Sequence, residues 1–511
     1  MRSLSTARAA LYSLTAVVWL ALARLAWAFL NSELQWRYVA QQSRSDAPWY
    51  YRLAGVWGGS EGSLLLFAGV VAAVASVAGR RLRRPLAVWF GTGMVAALVA
   101  IDLLFASPFG TLDVPALRGF GLTPILEHPA MAVHPPLLYV GLACSLAAAM
   151  VVLDGASAAA WLRRTVALTT LAMALGALWS YVEQGWGGYW AWDPVENTSL
   201  LVWLAALVAL HAPRVRRLAL LPWLFTLLGA CLVRSGATPS IHGFAEQASV
   251  GWALVAVTVV AAPMMWWASR PTGNSGGEDA ESVVDNQRGA AGASVPTVAG
   301  LAVLAVVALG TFTPLAIDVF TDQPAAVRGV FFSRTVGPVA LVVLPFLVLR
   351  LRTPTARLVH AGAVLLVLGI AATTFDREAT VGVGLGQTVR GAGLTVVGAG
   401  VVVEPGPRVD VQAVVATVVV DGHTMRPALV AYPERGGVLA ETAMVPGLWR
   451  DVQATLVSAN DAEFARVVVR QRPLMWAVWL GAAVITVGSL TAGRPRRRRP
   501  AAEPASEPAA R

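Results

Sequence analysis

Twelve apolar segments, separated by short runs of arginine, limit what this chain can fold into. Each is close to the roughly 20 apolar residues that a helix needs to cross a bilayer. With 56% apolar and 13% charged residues, the chain departs from soluble domains, which have about 45–50% apolar and about 25% charged residues. We therefore predict an all-α polytopic membrane protein with about twelve transmembrane helices. The segments lie near residues 9–30, 62–79, 87–106, 134–153, 161–181, 196–212, 216–234, 248–268, 297–318, 329–350, 358–375 and 473–492.

The arginine runs all fall on one side of this arrangement. A net charge of +10 is also compatible with nucleic-acid binding, but the basic residues are all arginine and cluster between apolar segments, which is typical of membrane topology. Cytoplasmic loops carry an excess of Lys and Arg, so both termini are predicted to be cytoplasmic and no nucleic-acid partner is expected. The runs are Arg80 to Arg84, Arg163-Arg164, Arg214 to Arg217, Arg350 to Arg357 and Arg494 to Arg499.

The long segment 376–472 has a different pattern and is predicted to lie outside the membrane. Val411 to Val420 is a β-branched run, and Asp421-Gly422 separates it from a second extended run that ends at Ala431. This spacing predicts a β-hairpin with a tight turn, and hence a small extracytoplasmic β-rich domain. The predicted organisation is a transmembrane core at 1–375 with an outer tryptophan-rich segment at 184–200, the β-rich domain at 376–472, a last transmembrane helix at 473–492 and a cytoplasmic arginine-rich tail at 493–511.

The segment from Trp186 to Glu196 combines three tryptophans and a tyrosine in seven positions with two carboxylates. Tryptophan and tyrosine also collect at membrane interfaces without binding a ligand. The Gly-Gly pair, the closing Asp-Pro and the density of rings favour instead a platform at the outer surface for a flat apolar molecule, and haem fits that description. The residues predicted to position it are Trp186, Tyr189, Trp190, Trp192, Asp193 and Glu196.

The two carboxylates of this segment would repel the propionates of a haem. We therefore predict that Asp193 and Glu196 orient a histidine or fix the tryptophan loop through hydrogen bonds. An alternative, compatible with the first, is that Asp193 is the N-cap and Pro194 the first residue of the sixth span.

Four of the six histidines form two pairs by their expected depth in the membrane. His134 opens the fourth span at its outer end, and His242 lies in an outer loop. His211 ends the sixth span and His360 begins the eleventh, each close to cytoplasmic arginines. Two neutral imidazoles on separate helices can occupy both axial positions of a haem iron. A single histidine that only caps helix carbonyls or contacts headgroups is the alternative, but the pattern of two inner and two outer histidines favours haem ligands.

The remaining chemistry-bearing residues support fewer predictions. His128 and His423 have no partner at matched depth and receive no predicted role. The propionates of an outer haem need a cation, for which Arg234 is the best placed residue. Cys144 and Cys231 each stand alone in an apolar run, which predicts small core residues. Any reactive thiols would belong to a partner.

These motifs resemble those of CcmF-type cytochrome c haem lyases, within a wider group of haem-handling proteins that share a tryptophan-rich outer segment. The resemblance extends through nearly the whole chain, and the order and spacing of its short motifs make it specific. The motifs are Arg37-Tyr-Val-Ala-Gln41, Pro48-Trp-Tyr-Tyr51, Val56 to Leu66, His134-Pro-Pro-Leu-Leu-Tyr139, Trp186 to Asn197, Leu232-Val-Arg-Ser-Gly236, and His242 with Phe244-Ala245.

The resemblance implies two haem sites in a bacterial cytoplasmic (inner) membrane. His134 and His242 would bind the iron of a substrate haem on the aromatic segment, while His211 and His360 would bind a stable haem b. The family is taken to receive haem from a membrane-anchored haem chaperone and to attach it to the Cys-x-x-Cys-His motif of an apocytochrome c, with its presenting subunits. The inner haem would pass electrons, from quinol, that keep the substrate haem reduced.

Several positions depart from the family pattern. Tyr189 stands where the family usually has tryptophan, which keeps the ring and adds a hydroxyl. Ser60 replaces a commoner histidine and removes one possible ligand or proton carrier. The resemblance also leads us to expect a chain that is short for the family and without its extra N-terminal span. The usual Asp-Pro after His242 is missing, a difference that bears on partner contacts at that loop.

The implied enzyme, a thioether-forming haem lyase within a complex, needs no nucleophile of its own because the partner supplies the thiol. Its task would be positioning, which can contribute about 7–11 kcal/mol in well-oriented systems. A different class of function is a haem carrier or relay that delivers haem and leaves attachment to another protein. A third is a polytopic transporter with an aromatic interface belt, which would purify without colour.

Overall fold

The computed structural model describes most of the chain. The described residues are 2–183, 188–212, 215–237, 240, 247–270, 295–321, 327, 329, 331–332, 334–336, 351, 353–408, 411–432, 437–460 and 463–492. Two positions predicted for the outer site, Trp186 and His242, lie outside them, as do most of the predicted span 329–350 and the tail from residue 493.

Within the described residues, ten helices are long and apolar enough to cross a membrane, and a shorter apolar helix follows the β-strands. This confirms the predicted helical membrane protein, although the described part accounts for fewer spans than the twelve apolar segments. The helices are α1 (Arg2–Leu30), α2 (Arg37–Gln42), α3 (Trp49–Ala54), α4 (Ser60–Gly79), α5 (Pro85–Phe105), α6 (Pro129–Leu153), α7 (Ala159–Glu183), α8 (Pro194–His211), α9 (Leu221–Ser235), α10 (Ala248–Ala268), α11 (Val295–Thr321), α12 (Pro354–Ala372) and α13 (Met475–Thr491).

Four of the spanning helices begin at a proline, namely Pro85, Pro129, Pro194 and Pro354. Proline suits this position because it has no backbone N–H to leave unsatisfied and its φ angle matches the first helical turn. Inside a bilayer the remaining backbone groups must be satisfied within the segment. The apolar runs therefore form helices, and in these four a proline in the sequence marks the first residue.

The arginine-rich ends of the helices come together on one side of the molecule, here named the arginine side. Arg8 on α1 donates from Nε to the carbonyl oxygen of Gly79 at the end of α4 (3.0 Å). Asp154, just after α6, accepts from the backbone N–H of Arg83 (2.7 Å). A cation near helix C-terminal carbonyls interacts favourably with the negative end of the helix dipole. Arg8 therefore caps a helix as well as contributing to the charge of this side.

In the described part of the β-rich domain, nine antiparallel strands form a sheet in the order β1-β9-β8-β7-β6-β4-β3-β2, with β5 paired to β4. Its interior contains valines from several strands, among them Val396, Val418 and Val467. The strands are β1 (Arg377–Gly384), β2 (Thr388–Gly391), β3 (Leu394–Pro405), β4 (Gln412–Val420), β5 (His423–Met425), β6 (Ala428–Tyr432), β7 (Gly437–Val445), β8 (Arg450–Asn460) and β9 (Phe464–Pro473).

The hairpin predicted at Asp421-Gly422 is confirmed. Val420 pairs with His423, so Asp421 and Gly422 alone form the turn between β4 and β5. Their φ angles are 44° and 83°, the left-handed conformation that a two-residue type I′ turn needs at both positions. Aspartate tolerates this region and glycine adopts it freely.

The β-rich domain contacts the helices at the ends opposite the arginine side. The Tyr181 hydroxyl near the end of α7 donates to Asp451 Oδ2 (2.9 Å), and the Gln453 amide donates to the Tyr181 carbonyl oxygen (3.2 Å). Arg408 forms an ion pair with Glu127 in the loop before α6 (2.9 Å). Because α8 also begins here, directly after the tryptophan-rich segment, this is named the aromatic side.

Helices α12 and α13 pack through glycines that bring their backbones into contact. A Cβ on Gly481 would lie 2.5 Å from the backbone nitrogen of Leu366, and one on Gly362 would lie 2.9 Å from that of Ile485. Small residues permit such close approach between membrane helices. Helix α13 also packs on α7, so this contact sets the position of α12, which carries His360.

Candidate haem site

The tryptophan-rich segment is fixed to the start of α8 by a capping box. Asp193 Oδ1 accepts from the backbone N–H of Val195 (2.8 Å), and Glu196 Oε2 accepts from the N–H groups of Asp193 (3.2 Å) and Ala191 (2.9 Å). The predicted N-cap role of Asp193 is confirmed. Asp193 thus accepts from the first turn of α8, whereas Glu196 accepts from the backbone of the tryptophan-rich segment.

The indole rings of this segment stand edge to face. The centroids of Trp190 and Trp192 lie 6.1 Å apart with an interplanar angle of 89°. Phe332 stacks on Trp192 at 5.0 Å and 12°. One face of Trp192 is therefore covered by protein, and the described rings of Trp190 and Trp192 form a corner.

Trp192 adopts a backbone conformation that is unfavourable for a bulky residue. Its φ is 57°, in the left-handed region where such residues are outliers that the surrounding structure must hold. Asn197 donates from Nδ2 to the Trp192 carbonyl oxygen (3.3 Å) and to Thr311 Oγ1 on α11 (3.1 Å). The strained residue is thus held by its stacking partner and by an amide one turn into α8.

Sequence reasoning missed three residues of this arrangement: Asn197, Thr311 and Phe332. Asn197 is the last residue of the motif Trp186 to Asn197, which is part of the family resemblance, so the sequence indicated its position but not its role. Thr311 and Phe332 come from a later part of the chain, and no local pattern connects them to the tryptophans.

Tyr189 joins the aromatic segment to the helices that lie beside it. Its ring packs against the cluster formed by Tyr181 and Met475 at the ends of α7 and α13. Burial raises the pKa of its hydroxyl, although a hydrogen bond with Thr373 opposes the shift. The hydroxyl that distinguishes this residue from tryptophan is therefore neutral.

His134 lies in the second turn of α6 and faces α7. Its Nδ1 is 2.7 Å from the carbonyl oxygen of Ala172. A Cβ on Gly176 would lie 2.6 Å from His134 Cε1, so the glycine makes room for the imidazole. Because a carbonyl oxygen only accepts, Nδ1 carries the proton and Nε2 has the lone pair. This is the tautomer that metal-ligating histidines usually adopt through a second hydrogen bond.

His211 and His360 lie face to edge on the arginine side. Their ring centroids are 6.0 Å apart with an interplanar angle of 84°. Each Nδ1 lies 2.8 Å from the carbonyl oxygen four residues earlier, Leu207 for one and Ala356 for the other. Both Nε2 atoms therefore have the lone pair that a metal needs.

The spacing of the inner pair fits one shared metal. Two nitrogens on opposite sides of one ion lie about 4 Å apart, because each metal–imidazole bond is about 2.0–2.1 Å. Each ring centre lies about 1 Å beyond its nitrogen, so the two ring centres lie about 6 Å apart. His211 and His360 reach a centroid distance of 6.0 Å from different helices, α8 and α12. Two imidazoles are the donor set that a bis-histidine haem uses.

Arg234 is buried, and its described hydrogen bonds are to the start of α4. It donates from Nη1 to the carbonyl oxygen and to Oγ of Ser60 (both 3.0 Å), and from Nη2 to Ser63 Oγ (3.1 Å). Ser60, which departs from the family's histidine, is thus a hydrogen-bond acceptor for Arg234. The assignment of Arg234 to haem propionates stays a prediction.

The other histidines and both cysteines have places away from these pairs. His128 is the N-cap of α6, where its Nδ1 accepts from the Ala130 N–H (3.1 Å), and burial lowers its pKa. His423 is exposed in β5 of the β-rich domain. Cys144 and Cys231 are buried and free, in agreement with a role as small core residues.

Asp193→Ala, which removes the capping side chain, is expected to destabilise the protein more than Asp193→Asn, which removes only its negative charge. Asp193→Ala leaves the first N–H groups of α8 without their acceptor and should cost about 1 kcal/mol, seen as a lower midpoint of thermal unfolding in detergent. Asp193→Asn keeps an oxygen acceptor and serves as the matched control. If the asparagine variant were as destabilised as the alanine variant, the negative charge and not the cap would be the important feature.

Comparison with known proteins identifies the family. Residues 57–234, which include His134, the aromatic segment and His211, match the cytochrome C assembly protein family. The probable cytochrome c-type biogenesis protein NrfE of Escherichia coli is 33% identical over 423 residues, covering 74% of this chain and 75% of NrfE.

A second relative and one solved structure agree. The cytochrome c-type biogenesis protein CcmF of Pseudomonas aeruginosa is 34% identical over 370 residues, and the match spans 65% of this chain but 54% of CcmF. The structure of a cytochrome c heme lyase CcmF has the same fold, with a TM-score of 0.73 at 20% identity over 95% of this chain and 91% of that one. From these likenesses we conclude that the chain belongs to the CcmF-type family of cytochrome c-type biogenesis proteins.

Proposed function

We propose that this membrane protein is the haem lyase subunit of a cytochrome c maturation complex. In this proposal it binds substrate haem on the aromatic side, positions it for thioether attachment to apocytochrome c, and holds a second haem, haem b, between His211 and His360. The observation that carries the proposal is the inner pair, whose ring centroids are 6.0 Å apart with both Nδ1 atoms bonded to backbone.

The connection between the two proposed sites supports assigning them to one function. Helix α8 begins at the capping box of the aromatic segment and ends at His211. Its 18 residues correspond to about 27 Å at 1.5 Å per residue, close to the roughly 30 Å hydrocarbon thickness of a bilayer. One rigid helix thus joins the residues proposed to hold substrate haem to a ligand of the inner haem.

A haem b at the inner site would supply one-electron chemistry, in accord with keeping the substrate haem reduced. The contribution of the chain there is orientation, because the Leu207 and Ala356 carbonyls hold both rings with Nδ1 protonated. Such second hydrogen bonds also raise the basicity of a ligating histidine. Quinol is the electron donor that the family resemblance implies.

At the outer site the chain would act by positioning substrate haem. His134, whose Nδ1 is bonded to the Ala172 carbonyl oxygen, would bind the haem iron, and Trp190 and Trp192 would provide apolar ring surface. His242 and Trp186 complete the site in the family pattern. In the reaction the S–H of a partner cysteine adds across a haem vinyl group, so that a C–S bond forms and the proton ends on the other vinyl carbon. No redox change or lyase nucleophile is required.

The proposed orientation places the arginine side in the cytoplasm of a bacterium and the aromatic side outside. The contacts of Arg8 with α4 and of Asp154 with the Arg83 backbone bring arginine-rich ends together, and cytoplasmic loops are enriched in such residues. The aromatic segment and the β-rich domain then meet the haem chaperone, the apocytochrome c and its presenting subunits on the same outer side.

We expect His134→Ala to abolish maturation while leaving the inner haem in place. The variant would be expressed in a bacterial strain that lacks its own copy, with covalently bound haem on cytochrome c measured by haem staining. The signal should fall by roughly tenfold or more, since loss even of a ligand's supporting contacts costs 10–100-fold. His423→Ala, an exposed histidine of the β-rich domain, is the matched control.

The state of the haem chaperone in the same strain separates a lyase from a carrier. Haem-loaded chaperone should accumulate with His134→Ala, because attachment is blocked after loading. If the chaperone instead stays empty, the protein relays haem and another component attaches it. Wild-type levels of cytochrome c in the variant would exclude His134 from the outer site.

A further inference from the structure

Three large apolar side chains are exposed where the β-rich domain meets the helices. In the turn between β7 and β8, Leu448 is 66% exposed and Trp449 is 77% exposed. Phe375, just after α12, is 75% exposed. Exposure of a tryptophan and two other large apolar side chains close to the membrane helices indicates a surface that contacts a membrane or another molecule.

The depth of the turn is fixed by the start of α13. The backbone N–H of Leu474, the residue before this helix, donates to the Trp449 carbonyl oxygen (3.2 Å). Trp476 in the first turn of α13 donates from its indole Nε1 to the Leu448 carbonyl oxygen (2.8 Å). The turn therefore cannot move away from the membrane without breaking bonds to a membrane helix.

A second membrane helix, α7, also bonds to this turn. Asp451 Oδ1 accepts from the backbone N–H of Gly447 (2.9 Å), which closes the turn. Its Oδ2 accepts from the hydroxyl of Tyr181 near the end of α7 (2.9 Å). Bonds from both α7 and α13 thus place the turn at the level where the apolar segments of these helices end.

We propose that the β7–β8 turn inserts Leu448 and Trp449 into the headgroup region of the bilayer on the aromatic side. An indole suits this region because its ring is apolar while its N–H can bond to water or headgroups. The lipid surface is continuous with the first turn of α13, whose Trp476 is itself bonded to this turn. The bilayer is therefore the occupant that the geometry places against these side chains.

Insertion of the turn would hold the β-rich domain against the membrane at a set height. The contact of Tyr181 with Asp451 then becomes part of a three-point attachment, made by α7, α13 and the lipid surface. Apolar side chains at an interface contribute through the area they bury and by contact with lipid headgroups. This inference does not depend on the proposed haem chemistry.

Single-cysteine variants of the full chain in lipid nanodiscs test the insertion. In a background with Cys144→Ala and Cys231→Ala, Leu448→Cys would be labelled with an environment-sensitive fluorophore. Leu385→Cys is the matched control, because Leu385 is also a leucine and is 58% exposed, but it lies at the far end of β1 from the membrane attachment. The nanodiscs would contain phosphatidylcholine and phosphatidylglycerol with a nitroxide at a shallow acyl position.

The label at 448 should emit at shorter wavelength and be quenched several-fold more by the nitroxide lipid than the label at 385. Trp449→Cys gives a second position if the first variant does not elute as a monodisperse protein. Equal quenching at 448 and 385 would overturn the proposal. Protection of the 448 label from iodide only after addition of apocytochrome c would also overturn it, and would assign the turn to a polypeptide partner.

Discussion

Replacement of His360 with alanine is expected to remove the haem absorption of the purified protein without unfolding it. His360 faces His211 at a centroid distance of 6.0 Å, so its loss leaves a single imidazole on the opposite helix. An iron with one ligand in place of two is held far less tightly, and the reduced-minus-oxidised spectrum of a bis-histidine haem should disappear. The absorption spectrum of the reduced protein in detergent measures this.

Two further variants make the His360 result specific. His360→Gly leaves space for a free imidazole, and addition of imidazole to this variant should restore the bis-nitrogen spectrum. His423→Ala, on an exposed strand of the β-rich domain, should keep the wild-type spectrum. An unchanged spectrum in His360→Ala would remove this residue from the ligand set, and the inner part of the proposed function with it.

The second large effect, on stability and haem content, is expected at Gly481, which contacts no proposed haem ligand. In Gly481→Leu, the new Cβ would lie 2.5 Å from the Leu366 backbone nitrogen, so α13 must move away from α12. Overpacking of this kind usually costs about 1–3 kcal/mol and sometimes more. Because α12 carries His360, the separation of the two imidazoles should change, and both the thermal midpoint and the haem content should fall.

Gly93→Leu is the matched control for this packing effect. Gly93 lies in the membrane helix α5, and a Cβ there would meet nothing within 4 Å. The same substitution should therefore leave stability and haem content near wild type. If Gly481→Leu lowered the thermal midpoint but kept a full haem spectrum, α13 would stabilise the fold without setting the position of His360.

Local patterns in the sequence determined the elements of this protein. The apolar runs became membrane helices because a helix satisfies its backbone hydrogen bonds within one segment. Asp421-Gly422 became a turn because both residues accept positive φ, and Asp193-Pro194 became a helix start because an N-cap and an N1 proline act on neighbouring backbone groups. The family resemblance was likewise visible in motifs a few residues long.

Only the tertiary structure decided which side chains meet. The sequence placed His211 and His360 at one depth, but not at a centroid distance of 6.0 Å, and nothing local predicted that Phe332 stacks on Trp192. The bonds from Arg234 to Ser60 and Ser63 were also unforeseen. Membrane helices that are apolar on every face do not encode their rotation toward a neighbour. That rotation follows from close packing, as at Gly481, and it fixes which imidazoles, rings and charges can act together.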